Sequence, residues 1–353
     1  MIRGYMRKLS KIEIRNYART LVPILENHEI DGIKDARIVD AIISYSMKGM
    51  KPWYRRGSAL QGFPASPGFN PLRVIEGFLV YPMPGMNPVT IQSNTLGNAY
   101  LFLDITGAGG GGGGGGSGIN SSSAGYGQGG GGGGDGGRLI VMIQGPIPSG
   151  TQLIPQFGGA GGAGGPSTSS TTTGNPGSPG ESPGDTQVIL SGGSITVSTP
   201  GGSAPAMPTP ASGQAPGGVG GNGGSAVFTY PSNTSIFSAI QLPPRSVANA
   251  NGGVNNGPGG YGVTSEYFNP SNIRPIFVSD PIGAVISGGG VSANSGGGSG
   301  QSATVNVPSG TIPLRGAGAG GGGGSNFGSY SVGQGGGTGG SGGPGPIIVL
   351  VIA

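Results

Sequence analysis

The sequence contains no cysteine, which removes disulfide frameworks and thiolate metal sites from consideration. Histidine occurs once, as His28 beside Glu26, Glu29 and Asp31. A lone imidazole among acids can ligate a metal, but here it reads as a solvated residue at a helix end. No metal or other cofactor is expected. Charge is scarce and one-sided. The first hundred residues hold 13 of the 17 Lys and Arg and 7 of the 13 acids, a net of +6. The remaining 253 carry only Arg138, Arg245, Arg274 and Arg315 against six acids, a net of −2, with no lysine. The basic balance therefore belongs to the N-terminal part alone, and nucleic-acid binding by the whole chain is not expected. The start, Met1-Ile2-Arg3-Gly4-Tyr5-Met6-Arg7-Lys8, lacks the apolar stretch of a secretory signal. The apolar run at 346–353 is far below the roughly 18 to 20 residues of a membrane span and reads as a terminal strand.

Glycine is what the chain has in excess. It occurs 84 times, and only nine of these lie in the first hundred residues. Composition thus divides the chain into a basic helical module (1–56), a Pro/Gly linker with a small β layer (57–100) and a glycine-rich part (101–353).

In the first part, Ser10-Lys11-Ile12-Glu13 has the form of a capping box, in which serine and the glutamate three residues on satisfy each other's orphan amides. Ile14, Tyr17, Leu21 and Ile24 follow at helical spacing, and Pro23 is expected to end or kink the helix. A second helix is expected over 35–47, with Ile38, Ile42 and Tyr45 on one face and Gly49 as its stop. Lys48, Lys51, Arg55 and Arg56 interleave with Trp53 and Tyr54. This patch reads as a contact for nucleic acid or, in preference, for an acidic protein groove, or else as a solvated turn whose aromatics pack on the helices. Strands are expected at 74–81 and 100–105.

Beyond residue 101 the pattern is apolar strand, glycine block, apolar strand. The run Leu101-Phe102-Leu103-Asp104-Ile105-Thr106 breaks into a block with eight consecutive glycines. A short insert, 117–128, and a second block, 129–137, lead to Leu139-Ile140-Val141-Met142-Ile143. Further strands are expected at 187–190, 194–198, 225–230, 235–242, 276–279, 284–287, 303–307 and 347–352. The phrase Pro-Ser-Gly-Thr recurs at 148–151 and 308–311, each time ahead of a glycine block, as a weak internal repeat. Segments 166–184 and 199–218, rich in Ser, Thr, Pro and Gly, read as exposed loops.

Collagen requires glycine at every third position, a phase these blocks do not keep. A disordered linker is the alternative, since glycine loses the most backbone entropy on ordering. Against it stands the regular alternation with Val, Ile and Leu. A third arrangement is a set of polyproline-II helices of glycine, close enough to hydrogen-bond backbone to backbone. Blocks of eight or nine residues would then span roughly 25 to 28 Å. The expected fold is a small α or α+β N-terminal module followed by a layered, sandwich-like domain of β-strands and polyglycine helices.

The order of pieces at 104–116, 139–143, 148–151, 157–165 and 342–352 resembles the glycine-rich domain of viral tail-fibre and phage adhesin proteins. The resemblance covers about residues 101–353, while the N-terminal part matches no recognised family. It implies a virion structural protein that docks on a fibre shaft or capsid through its N-terminal part and presents loops to a host receptor or glycan. Adhesins of T-even-type phages are similar in plan. Such a protein would reside at the virion surface or tail, and a homo-oligomer is compatible with it. The receptor-contact candidates are the aromatics set among glycine and polar loops: Tyr126, Tyr230, Phe237, Tyr261, Tyr267, Phe268, Phe327 and Tyr330. Rings there can stack on sugars, or can simply cap the ends of glycine layers. A cellular surface or extracellular-filament protein is the second reading. An enzyme is not expected: Asp104, Asp135, Glu181, Asp185, Glu266 and Asp280 form no recognisable acid and base motif, and Gly-x-Gly-x-x-Gly arises by chance in a glycine block.

Overall fold

A computed structural model of the protein describes residues 5–26, 33–47, 72–82, 88–91, 99–117, 130, 133–134, 136–144, 150–166, 174–190, 193–197, 236–242, 304–307, 310–313 and 336–353. The helix α1 (Lys11–Glu26) begins with the expected capping box: Ser10 N–H donates to Glu13 Oε2 at 2.8 Å, and Glu13 N–H donates to Ser10 Oγ at 3.3 Å. Its buried stripe is Ile14, Tyr17, Ala18, Leu21 and Leu25. The helix does not stop at Pro23. It continues to Glu26, because burying Leu25 one turn after Leu21 outweighs the amide that proline cannot supply. The second helix, α2 (Ile33–Ser46), packs against α1 and buries Ile38, Val39 and Ile42.

Six strands form an antiparallel sheet in the order β1 (Tyr5–Lys8), β2 (Val74–Tyr81), β12 (Ile347–Ile352), β4 (Tyr100–Thr106), β5 (Arg138–Gln144) and β9 (Ile236–Leu242). The strand at the C-terminal end thus sits between one from the linker and one from the start of the glycine-rich part. The compositional boundaries are not boundaries of this sheet. One face packs on α1 and α2 through Phe102, Ile140, Met142, Ile348 and Leu350. The other face packs through Leu101, Leu103, Leu139, Val141 and Val349 on Leu153, Val188 and Leu190 of a four-stranded sheet. That second sheet has the order β3 (Val89–Ile91), β6 (Thr151–Ile154), β7 (Thr186–Leu190) and β8 (Gly193–Val197). With both faces covered, β12 is buried at every position, which is why its sequence does not alternate.

The two Pro-Ser-Gly-Thr phrases are used differently. Gly150 takes a positive φ of 86° ahead of β6, a conformation that suits glycine. In the second copy β10 (Thr304–Val307) and β11 (Gly310–Pro313) pair with each other as a separate two-stranded sheet. The strands expected at 225–230, 276–279 and 284–287 lie outside the described residues, as do His28 and the 199–218 segment.

From one end of the two sheets the glycine-rich segments run outward, packed around 107–117. Every described residue of that central segment is buried. Its amides point to three neighbours in rotation. Gly107 and Gly110 donate to the carbonyls of Gly137 and Gly134; Gly109, Gly112 and Gly115 donate to Gly343, Gly340 and Gly337; Gly111, Gly114 and Ser117 donate to Glu181, Ser178 and Asn175, all at 2.6–3.0 Å. A fourth segment, 157–166, runs parallel to the centre and donates from Gly159, Gly162 and Gly165 to Gly109, Gly112 and Gly115. Partners recur every third residue, the repeat of a polyproline-II helix.

Side chains are admitted only where this repeat allows. Along 157–166 the exposed positions are Phe157, Ala160, Ala163 and Pro166, each three residues from the last, with glycine at the others. Along 336–345 Thr338 and Ser341 are exposed in the same way. The 174–184 segment, read from composition as a loop, belongs to this array. Gly177 and Gly180 face the centre, Ser178 and Glu181 donate to Ala163 and Ala160 at 2.8 Å, and Pro176 and Pro179 take exposed positions where no amide is needed.

Candidate functional site: the root and tip of the glycine array

The array has two ends of different character. At the root, where it leaves the sheets, Asp104 of β4 and Arg138 of β5 form a bidentate pair, with Nε to Oδ1 at 2.8 Å and Nη2 to Oδ2 at 2.6 Å. Tyr17 of α1 donates its hydroxyl to Asp104 Oδ2 at 2.5 Å. All three residues are buried, at 0–2 % exposure. The fork of guanidinium donors and the phenol supply the hydrogen bonds that a desolvated carboxylate needs. Thr106 Oγ1, buried two residues further along β4, finds no hydrogen-bond partner among the described residues.

The sequence reading did not single out this network. Its signal was present: Asp104 lies inside an apolar run, and Arg138 stands directly ahead of another. The two are 34 residues apart, and only the pairing of β4 with β5 brings them together.

At the tip, Ser117 N–H donates to the Asn175 carbonyl at 2.9 Å, and Asn175 N–H donates to Ser117 Oγ at 2.7 Å. The Asn175 side-chain amide donates to the Pro166 carbonyl at 3.0 Å. Gly130 lies alongside Gly113, and Gly336 N–H donates to Gly165 at 2.8 Å. Residues 117 and 130, 166 and 174, and 336 are therefore gathered at the end remote from the sheets. The connections 118–129 and 167–173 both leave and rejoin the array there, and the chain before 336 enters there.

Among the receptor-contact candidates, Phe237 falls in β9, where the register shifts between Ile143↔Ile236 and Met142↔Ser238. Tyr126, Tyr230, Tyr261, Tyr267, Phe268, Phe327 and Tyr330 lie outside the described residues, as do the anchoring candidates Lys48, Lys51, Trp53, Tyr54, Arg55 and Arg56. By chain position, Tyr126 belongs to the connection between 117 and 130, and Phe327 and Tyr330 precede 336.

Titratable groups shift for local reasons. The Glu13 carboxyl is lowered to about 2, first by its hydrogen bond from Arg7, while burial works in the opposite direction. Burial raises the Asp40 carboxyl and pushes the Tyr81 phenol up to about 12. Among the described residues no group of three or more His, Cys, Asp or Glu could hold a metal ion, and no helix is long and apolar enough to cross a membrane. No protein-family model matches the chain, and no curated protein matches it.

Proposed function

We propose that this chain is a virion structural protein, a tail-fibre or spike-type adhesin, anchored to the particle by its N-terminal part and presenting loops of its glycine-rich part for attachment to a host cell. In this reading the glycine-rich segments are polyproline-II helices, layered into a stiff scaffold. The central segment would span roughly 31 Å at about 3.1 Å per residue step. The N-terminal cations and aromatics, Lys48 to Arg56, meet another virion protein, and the partner at the other end is a host surface receptor or glycan.

The observation that carries the reading is the gathering of segment ends at one tip. A buried central segment with amides committed in three directions is a poor linker but a good strut. The end of a strut stands away from the bulk of a particle. The low charge of the glycine-rich part suits a surface that meets sugars or receptor pockets through rings and hydroxyls.

Mass spectrometry of purified particles, alongside uninfected cells of the same host, tests the assignment. The chain is expected in the particles and not in the uninfected cells. Recovery from uninfected cell surfaces would replace this reading with that of a cellular surface protein.

A further inference from the structure

We infer that the buried Asp104–Arg138 pair, held by Tyr17, is a register pin for the whole molecule: it fixes how β4 is set against β5 and hence how the glycine segments line up beyond them. The reasoning starts from degeneracy. On one face β4 offers Leu101, Leu103 and Ile105 to Leu139, Val141 and Ile143 of β5, and β12 offers Ile347, Val349 and Val351. Displaced by two residues, such strands still place apolar side chains opposite apolar side chains, so burial specifies the face but only weakly the position.

The glycine run at 109–116 makes matters worse. Its residues are identical, so no side chain within it marks its position along the neighbouring segments. Register has to be imposed from the ends.

Displacement in one direction would draw Gly136 and Gly137 into the β4–β5 ladder, at the cost of side chains in the core. Displacement in the other direction sets Met142 opposite Asp104 in place of Ile140, brings Gly107 and Ala108 opposite Leu139 and Arg138, and parts Arg138 from the carboxylate. The charge pair forbids that second direction, because an unpaired buried carboxylate is strongly unfavourable. Ser117 and Asn175 close the far end in the same manner: the first side chain after eight glycines accepts the Asn175 amide. A single buried polar contact that sets alignment in an otherwise permissive apolar interface has a precedent in coiled coils.

Because the chain has no cysteine, engineered pairs report register without interference. Tyr100→Cys with Gln144→Cys marks the observed register, since these residues are opposite one another. Phe102→Cys with Gln144→Cys marks the displaced one. In the otherwise unchanged full chain, mild oxidation is expected to close only the first pair. In the background Tyr17→Phe, Asp104→Leu, Arg138→Met, the chain is expected to stay folded by circular dichroism and to close both. Closure of the first pair alone in that background would overturn the inference, and so would loss of folding, which would make the network a stabilising element rather than a pin. Arg138→Lys keeps a cation against Asp104 and is expected to close only the first pair; a displaced disulfide there would equally overturn it.

Discussion

At Gly111 a Cβ would lie under 3.0 Å from the carbonyl oxygen of Ala160, and at Gly162 it would meet that of Ser178 as closely. Each such glycine aims its Cα hydrogens at a neighbouring carbonyl, an approach that recurs where backbones pack without side chains. Gly111→Ala is therefore expected to destabilise by about 3 kcal/mol or more, since the obstacle is backbone and cannot rotate away. Ala163→Ser, at an exposed position of the repeat, should stay within about 0.5 kcal/mol. Chemical denaturation of the two variants against the parent checks both.

Two further residue-scale outcomes concern charge. Tyr17→Phe removes a hydroxyl from a buried carboxylate and should lower stability by about 1.5 to 3 kcal/mol, read from the same denaturation curves. Glu13 has a carboxyl lowered to about 2 from the ordinary 4.5. A depressed folded value means stability fully present above the unfolded value, about 4.5, and lost as pH falls through about 2. Arg7, its partner, is 37 % exposed, so the contribution is about 1 kcal/mol at most. In Glu13→Gln the thermal midpoint should fall less steeply between pH 4.5 and 2 than in the parent. An unchanged slope would show that the Arg7 contact has no energetic role.

At the scale of elements, legibility followed the range of the forces involved. The capping box, the helical stripe of Ile14, Tyr17 and Leu21, and the apolar strands at 74–81, 139–143 and 347–352 rest on local pattern, and each appears where that pattern places it. β1 was not foreseen: four residues with no alternation become a strand only by pairing with β2, some 70 positions on. Pro23 does not end the helix, because its local cost is set against the burial of Leu25, which the core holds. The 174–184 segment was hidden by its composition, although its glycines at 174, 177 and 180 already keep the period of three. Asp104 and Arg138 each stood out locally as a charge beside an apolar run, but their contact depends on strand pairing across an intervening glycine stretch, which no local pattern gives.

The period of three makes a distinctive prediction. Deleting Gly161 alone carries Ala163 into the place of Gly162, against the Ser178 carbonyl. Deleting 161–163 together preserves the phase. The single deletion should give misfolded protein and the triple deletion a soluble, cooperatively unfolding one, as solubility and thermal melts would report. Hydrogen exchange should find the amides of Gly109 to Gly112, Gly114 and Gly115 protected beyond the seconds scale. Exchange at the rate of an open chain would contradict the hydrogen bonds in which these amides take part.

For the whole molecule, the sheet order matters more than the order along the chain. Setting β12 between β2 and β4 ties the last residues to the first part, so the helices, both sheets and the root of the glycine array share one continuous packing. Among the described residues, α1, α2 and the root of the glycine array therefore belong to the same packing.

Competition for attachment tests the functional account most directly. Purified chain in excess should block adsorption of particles to the host on which they grow, whereas the chain carrying Tyr126→Ala, Phe327→Ala and Tyr330→Ala, folded equally well by circular dichroism, should not. Equal blocking by both chains, or none by either, would contradict the account.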